Sequence, residues 1–257
     1  MNEKQKPNVI YGVHPVMEGL SQGMEIEKIF LRQGLSPERA SQIRSAAKKQ
    51  EIPVQVVPEE KLRRLVGRVN HQGVVALQAL ITYHELEPLI LSIQEKGEVP
   101  LLVMLDGVTD VRNFGAIART AECMGAHGII VPRQGSAPVN GDAVKTSAGA
   151  LEYLPICREK NLVDSLMMLQ AYEIQTVAST EKAADGIYQI DLSKPTCIVM
   201  GAEDKGISSQ LLKRVDFLAR IPMKGKIESL NVSVAAGMML AEVSRQRGGA
   251  SLTNPLK

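Results

Sequence analysis

Residues 221–230 read IPMKGKIESL, and the chain continues through NVSVAAGMMLAEVSRQR at 231–247. To the left, the short apolar run from Phe217 to Ile221 ends at Pro222, whose missing N–H closes a ladder, so a buried strand is expected there. To the right, Val232, Ala236, Met239 and Val243 fall on one helical stripe, and Val234, Met238 and Ala241 fall on a second. A helix that is apolar on two sides needs cover on two sides. One cover is the chain's own sheet; the other is a second copy, with Ala235, Ala236 and Gly237 permitting close approach. Between strand and helix stand Lys224, Lys226, Glu228, Ser229 and Asn231. Asn231 sits where a helix N-cap belongs, and asparagine leads the capping preference.

Around this stretch lies an ordinary globular composition: 257 residues, 44% of them hydrophobic, which is enough for one large or two modest domains. A net charge of +2 is too small to make the whole surface attract nucleic acid, so such binding requires local clusters. With no Trp, three Phe and five Tyr, extensive base stacking is not expected. Cys123, Cys157 and Cys197 are odd in number and lack CxxC spacing, and the four histidines are scattered, which points to a reducing compartment and no metal site. The opening MNEKQKPNVI has no apolar stretch of signal-peptide length, and no apolar run is long enough to span a membrane, so a cytoplasmic protein is expected.

From Asn8 to Ile81 the pattern alternates: strand at Val9–Val13, helix from Pro15, strand at Lys28–Leu31, helix Pro37–Gln50, strand at Val54–Val57, helix from Glu59, strand at Val74–Leu80. This predicts a small α/β domain over residues 1–82. Its later helices carry Arg39, Arg44, Lys48 and Lys49, then Lys61, Arg63 and Arg64, with Arg68 following. Such charges are either a solvated face or a nucleic-acid footprint. Residues 83–98 read as a hinge and connecting helix. From residue 99 to the end, strands at Leu101–Asp106, Gly128–Val131, Ile174–Ala178, Cys197–Gly201 and Phe217–Ile221 alternate with helices, which predicts a mostly parallel sheet covered on both faces. Ligands bind beyond the carboxyl ends of such strands.

Three polar clusters follow those ends. In DGVTDVRNFGAIARTAECMG at 106–125, Asn113 is placed as a helix N-cap, with Gly115 in the first turn and Arg119 one turn on. Helical side chains lean toward the N-terminus, so Arg119 is expected to run back over the gap at Gly115; its alternative is a surface pair with Glu122. In IVMGAEDKGIS at 198–208, Gly201 and Gly206 have the spacing of a phosphate loop, but Ile207 stands where its lysine belongs, which excludes a nucleoside triphosphate site. Gly201 is expected to admit a ligand by lacking a side chain. No strand leads into GxGxxG, so a dinucleotide site is excluded as well.

In this order, NFGAIAR, GAEDKG and IPMKGKIESLNVSVAAG resemble the three motifs of the SpoU branch of knotted RNA ribose methyltransferases, over residues 99–247. The preceding domain, with its opening YGVHPVMEGL, resembles the ribosomal-protein-like substrate-binding domain of the large-subunit ribosomal RNA guanosine 2'-O-methyltransferases. The resemblance implies a deep trefoil knot, a homodimer built through the final helix, and S-adenosylmethionine held by backbone at Gly201, Ile221 and Leu230. It also implies that Arg119 acts on the ribose 2'-hydroxyl, with Asn113, Ser229 and Asn231 positioning ribose, phosphate and cofactor. Glu203 orders the loop or orients Arg119. The implied substrate is 23S ribosomal RNA, with transfer RNA as the alternative; an inactive RNA-binding or assembly factor and an unrelated small-molecule enzyme are the other classes.

Overall fold

The computed structural model describes residues 8–226 and 229–248. It divides into two units, one of the residues up to Thr82 with Pro138–Gly141, the other of Tyr83–Ala137 with the residues from Asp142 onward.

In the first unit, β1 (Val9–Tyr11), α1 (Val13–Ser21), β2 (Ile26–Arg32), α2 (Pro37–Lys49), β3 (Val54–Val57), α3 (Glu59–Val66) and β4 (Val74–Gln78) follow the predicted alternation. The sheet order is β1-β4-β2-β3, with β2 and β3 parallel and the other pairs antiparallel. The two-residue period of β2 sends Ile29 and Leu31 to one face, where Val16 and Leu20 of α1 and Ile43 and Ala47 of α2 cover them. Phe30 goes to the other face, under Leu62 of α3. The two basic helices, adjacent in the sequence, therefore lie on opposite faces of the small sheet.

The second unit runs β5 (Tyr83–His84), α4 (Leu86–Glu95), β6 (Leu101–Asp106), α5 (Val111–Cys123), β7 (Gly128–Pro132), α6 (Gly141–Thr146), β8 (Ile156–Glu159), α7 (Leu162–Ala171), β9 (Gln175–Ser179), β10 (Thr196–Gly201), α8 (Ser209–Leu212), β11 (Phe217–Ala219) and α9 (Val232–Gln246). Its sheet has the order β11-β9-β10-β6-β7-β8-β5, and every pair is parallel. Residues of α4, α7 and α8 bury one face, among them Ile90, Leu166 and Leu211 against Leu102, Met104 and Val199. On the other face α5 and α9 pack on each other, and α9 also packs on β10.

Three expectations are corrected here. Within residues 83–98 the expected helix is present as α4, but the segment belongs to the second unit: Tyr83 and His84 pair with Ile156 and Cys157 as an edge strand, and Leu86, Ile90 and Ile93 are buried in the core. The strand at β11 is not buried but an edge, with Phe217 46% and Leu218 37% exposed, and it ends at Ala219 rather than Ile221. Ala235 and Ala236 are buried within their own chain, Ala235 in the wall of the cleft described below, so neither is free for a second copy, and Gly237 is half-buried beside Thr120 of α5.

The two stripes of α9 are present. Val232, Ala236, Met239 and Val243 are buried, whereas Val234 and Met238 are 51% and 40% exposed. The helix is fastened at its far end by Arg247, which donates to the carbonyls of Val99, Pro100, Leu192 and Lys194. Burial holds the Arg247 guanidinium below its usual range, yet four carbonyls take its donors. Among the described residues no helix is long and apolar enough to cross a membrane.

Candidate active site

The sheet order reverses beside β6: β7 lies on one side of it, and β10 on the other. Ligand crevices form at such switch points, beyond the strand ends. The three polar loops leave the carboxyl ends of β6, β10 and β11.

After β6, Asp110 rather than Asn113 caps α5: its side chain accepts from the N–H groups of Arg112 and Asn113, at 2.9 and 2.8 Å. Asn113 is thus inside the first turn, which frees its side chain to reach outward. Its Nδ2 donates to Glu203 Oε1 at 3.1 Å. Asn231 caps α9, accepting from the Ser233 N–H at 2.9 Å, and its Nδ2 donates to both Glu203 Oε1 and Asn113 Oδ1. The Val232 N–H also points at Glu203 Oε1, at 3.4 Å. Capping and site-building are therefore one role for Asn231, not alternatives. A single carboxylate oxygen draws together donors from the first and third loops.

The second loop is a tight turn in which the Gly206 N–H donates to the Ala202 carbonyl at 2.8 Å. A Cβ on Gly201 would lie 2.2 Å from the Gly206 carbonyl carbon and 2.3 Å from the Ile207 nitrogen. Glycine is required there by the loop's own backbone, a different reason from ligand access. Asp106, at the end of β6, accepts from the Ser208 N–H at 2.7 Å and ties the far end of the turn to the neighbouring strand.

Beside this turn opens a cleft of about 370 Å³ lined by Gly201, Glu203, Ile221, Ser229 and Leu230, and by Ser179–Lys182 at the end of β9. Every residue placed at the cofactor by resemblance thus lines one cavity. Ser179–Lys182 went unnoticed in the sequence, although the rule that ligands sit beyond parallel strands pointed at STEK after β9. Asp110 was legible too, as an Asp directly before a helical run. Ile227 and Glu228 lie outside the described residues.

Arg119 is exposed, and among the described residues it has no hydrogen bond or ion pair, so the surface pair with Glu122 is not formed. The gap over which it was to run is taken. A Cβ on Gly115 would meet the Ala143 carbonyl and Thr146 Cβ, each at 2.8 Å, so α6 fills that space. Neither Asn113 nor Arg119 lines the cleft. Among the described residues no group of His, Cys, Asp and Glu is placed to hold a metal ion.

Residues 100–241 match the model of the SpoU rRNA methylase family, and residues 9–83 match a model described as RNA 2'-O ribose methyltransferase substrate binding. The chain is 36% identical to a putative TrmH family tRNA/rRNA methyltransferase of Bacillus subtilis, over 95% of this chain and 97% of that one. Among solved structures, an AdoMet-bound rRNA methyltransferase from Sinorhizobium meliloti is 27% identical with a TM-score of 0.56, covering 95% of this chain and 88% of that chain. A TrmH/SpoU tRNA-modifying enzyme of A. aeolicus is 31% identical with a TM-score of 0.54, over 63% of this chain and 83% of its own. With more than half of its length matched by the family model, and the second and third loops of that half lining one cleft while Asn113 of the first joins them at Glu203, this chain belongs to the SpoU rRNA methylase family.

Proposed function

We propose that the chain transfers a methyl group from S-adenosylmethionine to the ribose 2'-hydroxyl of one RNA nucleotide, a guanosine of 23S ribosomal RNA, in the cytoplasm. The observation that carries this reading is the meeting of Asn113, Glu203 and Asn231 beside a cleft lined by Gly201, Ile221, Ser229 and Leu230. The cleft fits the cofactor: its volume lies within the ~300–1,000 Å³ of small-ligand pockets. Ile207, Ile221, Met223 and Val232 supply apolar walls, and Glu181, Glu203 and Asp204 against Lys182 and Lys205 leave a slight excess of negative charge for a sulfonium, with the two lysines available to a carboxylate. When bound, S-adenosylmethionine supplies an electrophilic methyl.

The residues of the chain do the rest. Glu203 is a clasp: its Oε1 is engaged by the donors of Asn113, Asn231 and Val232, so it holds the first and third loops together. No contact with Arg119 supports the orienting role for Glu203. A guanidinium is a donor and not a base, so Arg119 stabilises the developing alkoxide, and a neighbouring RNA phosphate accepts the proton. Ser229 and Asn231 position the reactants. The C-terminal unit is a trefoil knot and pairs with a second copy through the exposed α9 stripe, since an apolar patch of that kind marks an interface.

Ribosomal rather than transfer RNA is favoured by coverage: the rRNA enzyme named above aligns with nearly the whole chain, the tRNA enzyme with 63% of it. The test is incubation with labelled S-adenosylmethionine and separate unmodified 23S and transfer RNA transcripts, followed by mapping of the labelled ribose. Label at one guanosine of the 23S transcript is expected. Label on transfer RNA alone overturns the choice of substrate, and label on neither overturns the activity.

A further inference from the structure

The charged helices of the first unit are not equivalent once folded. On α3, Arg63 donates to Glu59 at 3.2 Å, Arg32 lies 3.7 Å from the same carboxylate, and the Lys61 ammonium sits 4.9 Å from the centre of the Phe30 ring. Burial raises the Glu59 carboxyl, but Arg63, His71 and Arg32 outweigh it and hold it below the usual range. Arg63, Arg32 and Lys61 are thus engaged within the protein, which leaves Arg64, with Arg68 just past the helix end, as the two exposed cations there without an ion pair or hydrogen bond among the described residues, against four on α2.

On the opposite face, α2 carries Arg39, Arg44, Lys48 and Lys49, all exposed, and none has an ion pair or hydrogen bond among the described residues. Its one acidic residue, Glu38, is in the first turn. Ile43 and Ala47 face the core, so Ser41, Arg44, Ser45 and Lys48 form the solvent stripe at helical spacing, flanked by Arg39 and Lys49. From Arg39 to Lys49 the stripe is about 15 Å long at 1.5 Å per residue, enough to face several phosphates of one strand. Guanidinium, ammonium and hydroxyl groups are the side chains that bind phosphate oxygens, and the stripe has no aromatic residue to stack on a base.

We infer that the solvent face of α2, and not α3, docks the phosphate backbone of the substrate RNA, giving affinity without reading sequence. This rests on the proposed RNA methyltransferase activity. The test compares the full-length protein with its R44Q/K48Q and R64Q/R68Q variants, binding a 23S RNA transcript and a polyuridine strand over a range of salt. Glutamine preserves the helix, and circular dichroism checks that it does. For R44Q/K48Q, affinity for both RNAs is expected to fall roughly tenfold at low salt, and the slope of log affinity against log salt to shrink by about 1.4–1.8. For R64Q/R68Q both quantities stay near wild type. Unchanged binding by R44Q/K48Q overturns the inference and leaves the stripe to an acidic protein surface; the loss appearing in R64Q/R68Q instead overturns it as well. A wild-type protein that neither binds nor methylates the transcript sinks the functional reading with it, whereas normal wild-type methylation beside an unaffected R44Q/K48Q sinks the inference alone.

Discussion

Gly201 leaves no room for a side chain of its own. Because the atoms that a Cβ would strike are backbone rather than a movable side chain, Gly201→Ala forces the 202–206 turn to shift, at a cost of about 1–3 kcal/mol. A lowered melting temperature and weakened S-adenosylmethionine binding are expected together. Lost binding with an unchanged melting temperature shows instead that Gly201 only clears space for the cofactor. Arg119 invites the opposite experiment, since nothing in the described structure leans on it. Arg119→Lys keeps the fold and cofactor affinity but loses most single-turnover methylation, because an ammonium cannot reproduce a planar donor fork; near-normal turnover removes Arg119 from the chemistry. Residue identity made Glu203 and Asn231 legible before folding, as polar groups after strands. That Asn113 and Asn231 meet at one oxygen of Glu203 was not legible, because it depends on β6, β10 and β11 delivering their loops to the same edge.

At the scale of elements, α9 shows what periodicity settles. The buried and exposed stripes both follow from a 3.6-residue repeat, and each falls where that repeat places it. Periodicity says nothing, however, about which partner a small residue meets, so Ala235 and Ala236, expected at a second copy, are buried within their own chain instead. If the exposed stripe is the dimer seam, V234D/M238D buries four unpaired charges there, two from each protomer. Each such charge costs several kcal/mol, so the dimer dissociation constant rises by at least a hundredfold, read by sedimentation equilibrium. The folded monomer is spared, because both positions are exposed within the chain. A variant that sediments like the wild type puts the seam elsewhere. The short strands β5 and β8 escaped the sequence for a related reason: β5 has two residues, and β8 reads ICRE, two apolar residues followed by two charged ones, which is neither an apolar run nor an alternation.

For the whole molecule, the placement of Tyr83 and α4 decides where the chain can be divided. Leu86, Ile90 and Ile93 are fully buried. At about 1.5–3 kcal/mol each they contribute an amount comparable with the roughly 5–15 kcal/mol net stability of a typical protein. A chain beginning at Tyr83 is expected to melt cooperatively and bind S-adenosylmethionine, yet methylate RNA feebly for want of α2. One beginning at Val99 is expected not to fold. Equal melting of the two shows that α4 is dispensable, and full RNA turnover by the longer one removes the first unit from substrate binding.

The order of strands in the large sheet also bears on how the chain leaves the ribosome. β6 ends at Asp106, but the neighbour that completes its second side, β10, begins only at Thr196, and β9 emerges first although it belongs on the far side of β10. At about 5–20 residues per second, the nascent chain holds Val103 and Met104 beside an unfilled slot for roughly five to twenty seconds. An apolar strand with a bare edge is a template for pairing with any passing strand, including one from a neighbouring nascent copy. Slow translation between residues 106 and 196 therefore lengthens the interval in which a chaperone is needed, while slow translation after residue 201 does not.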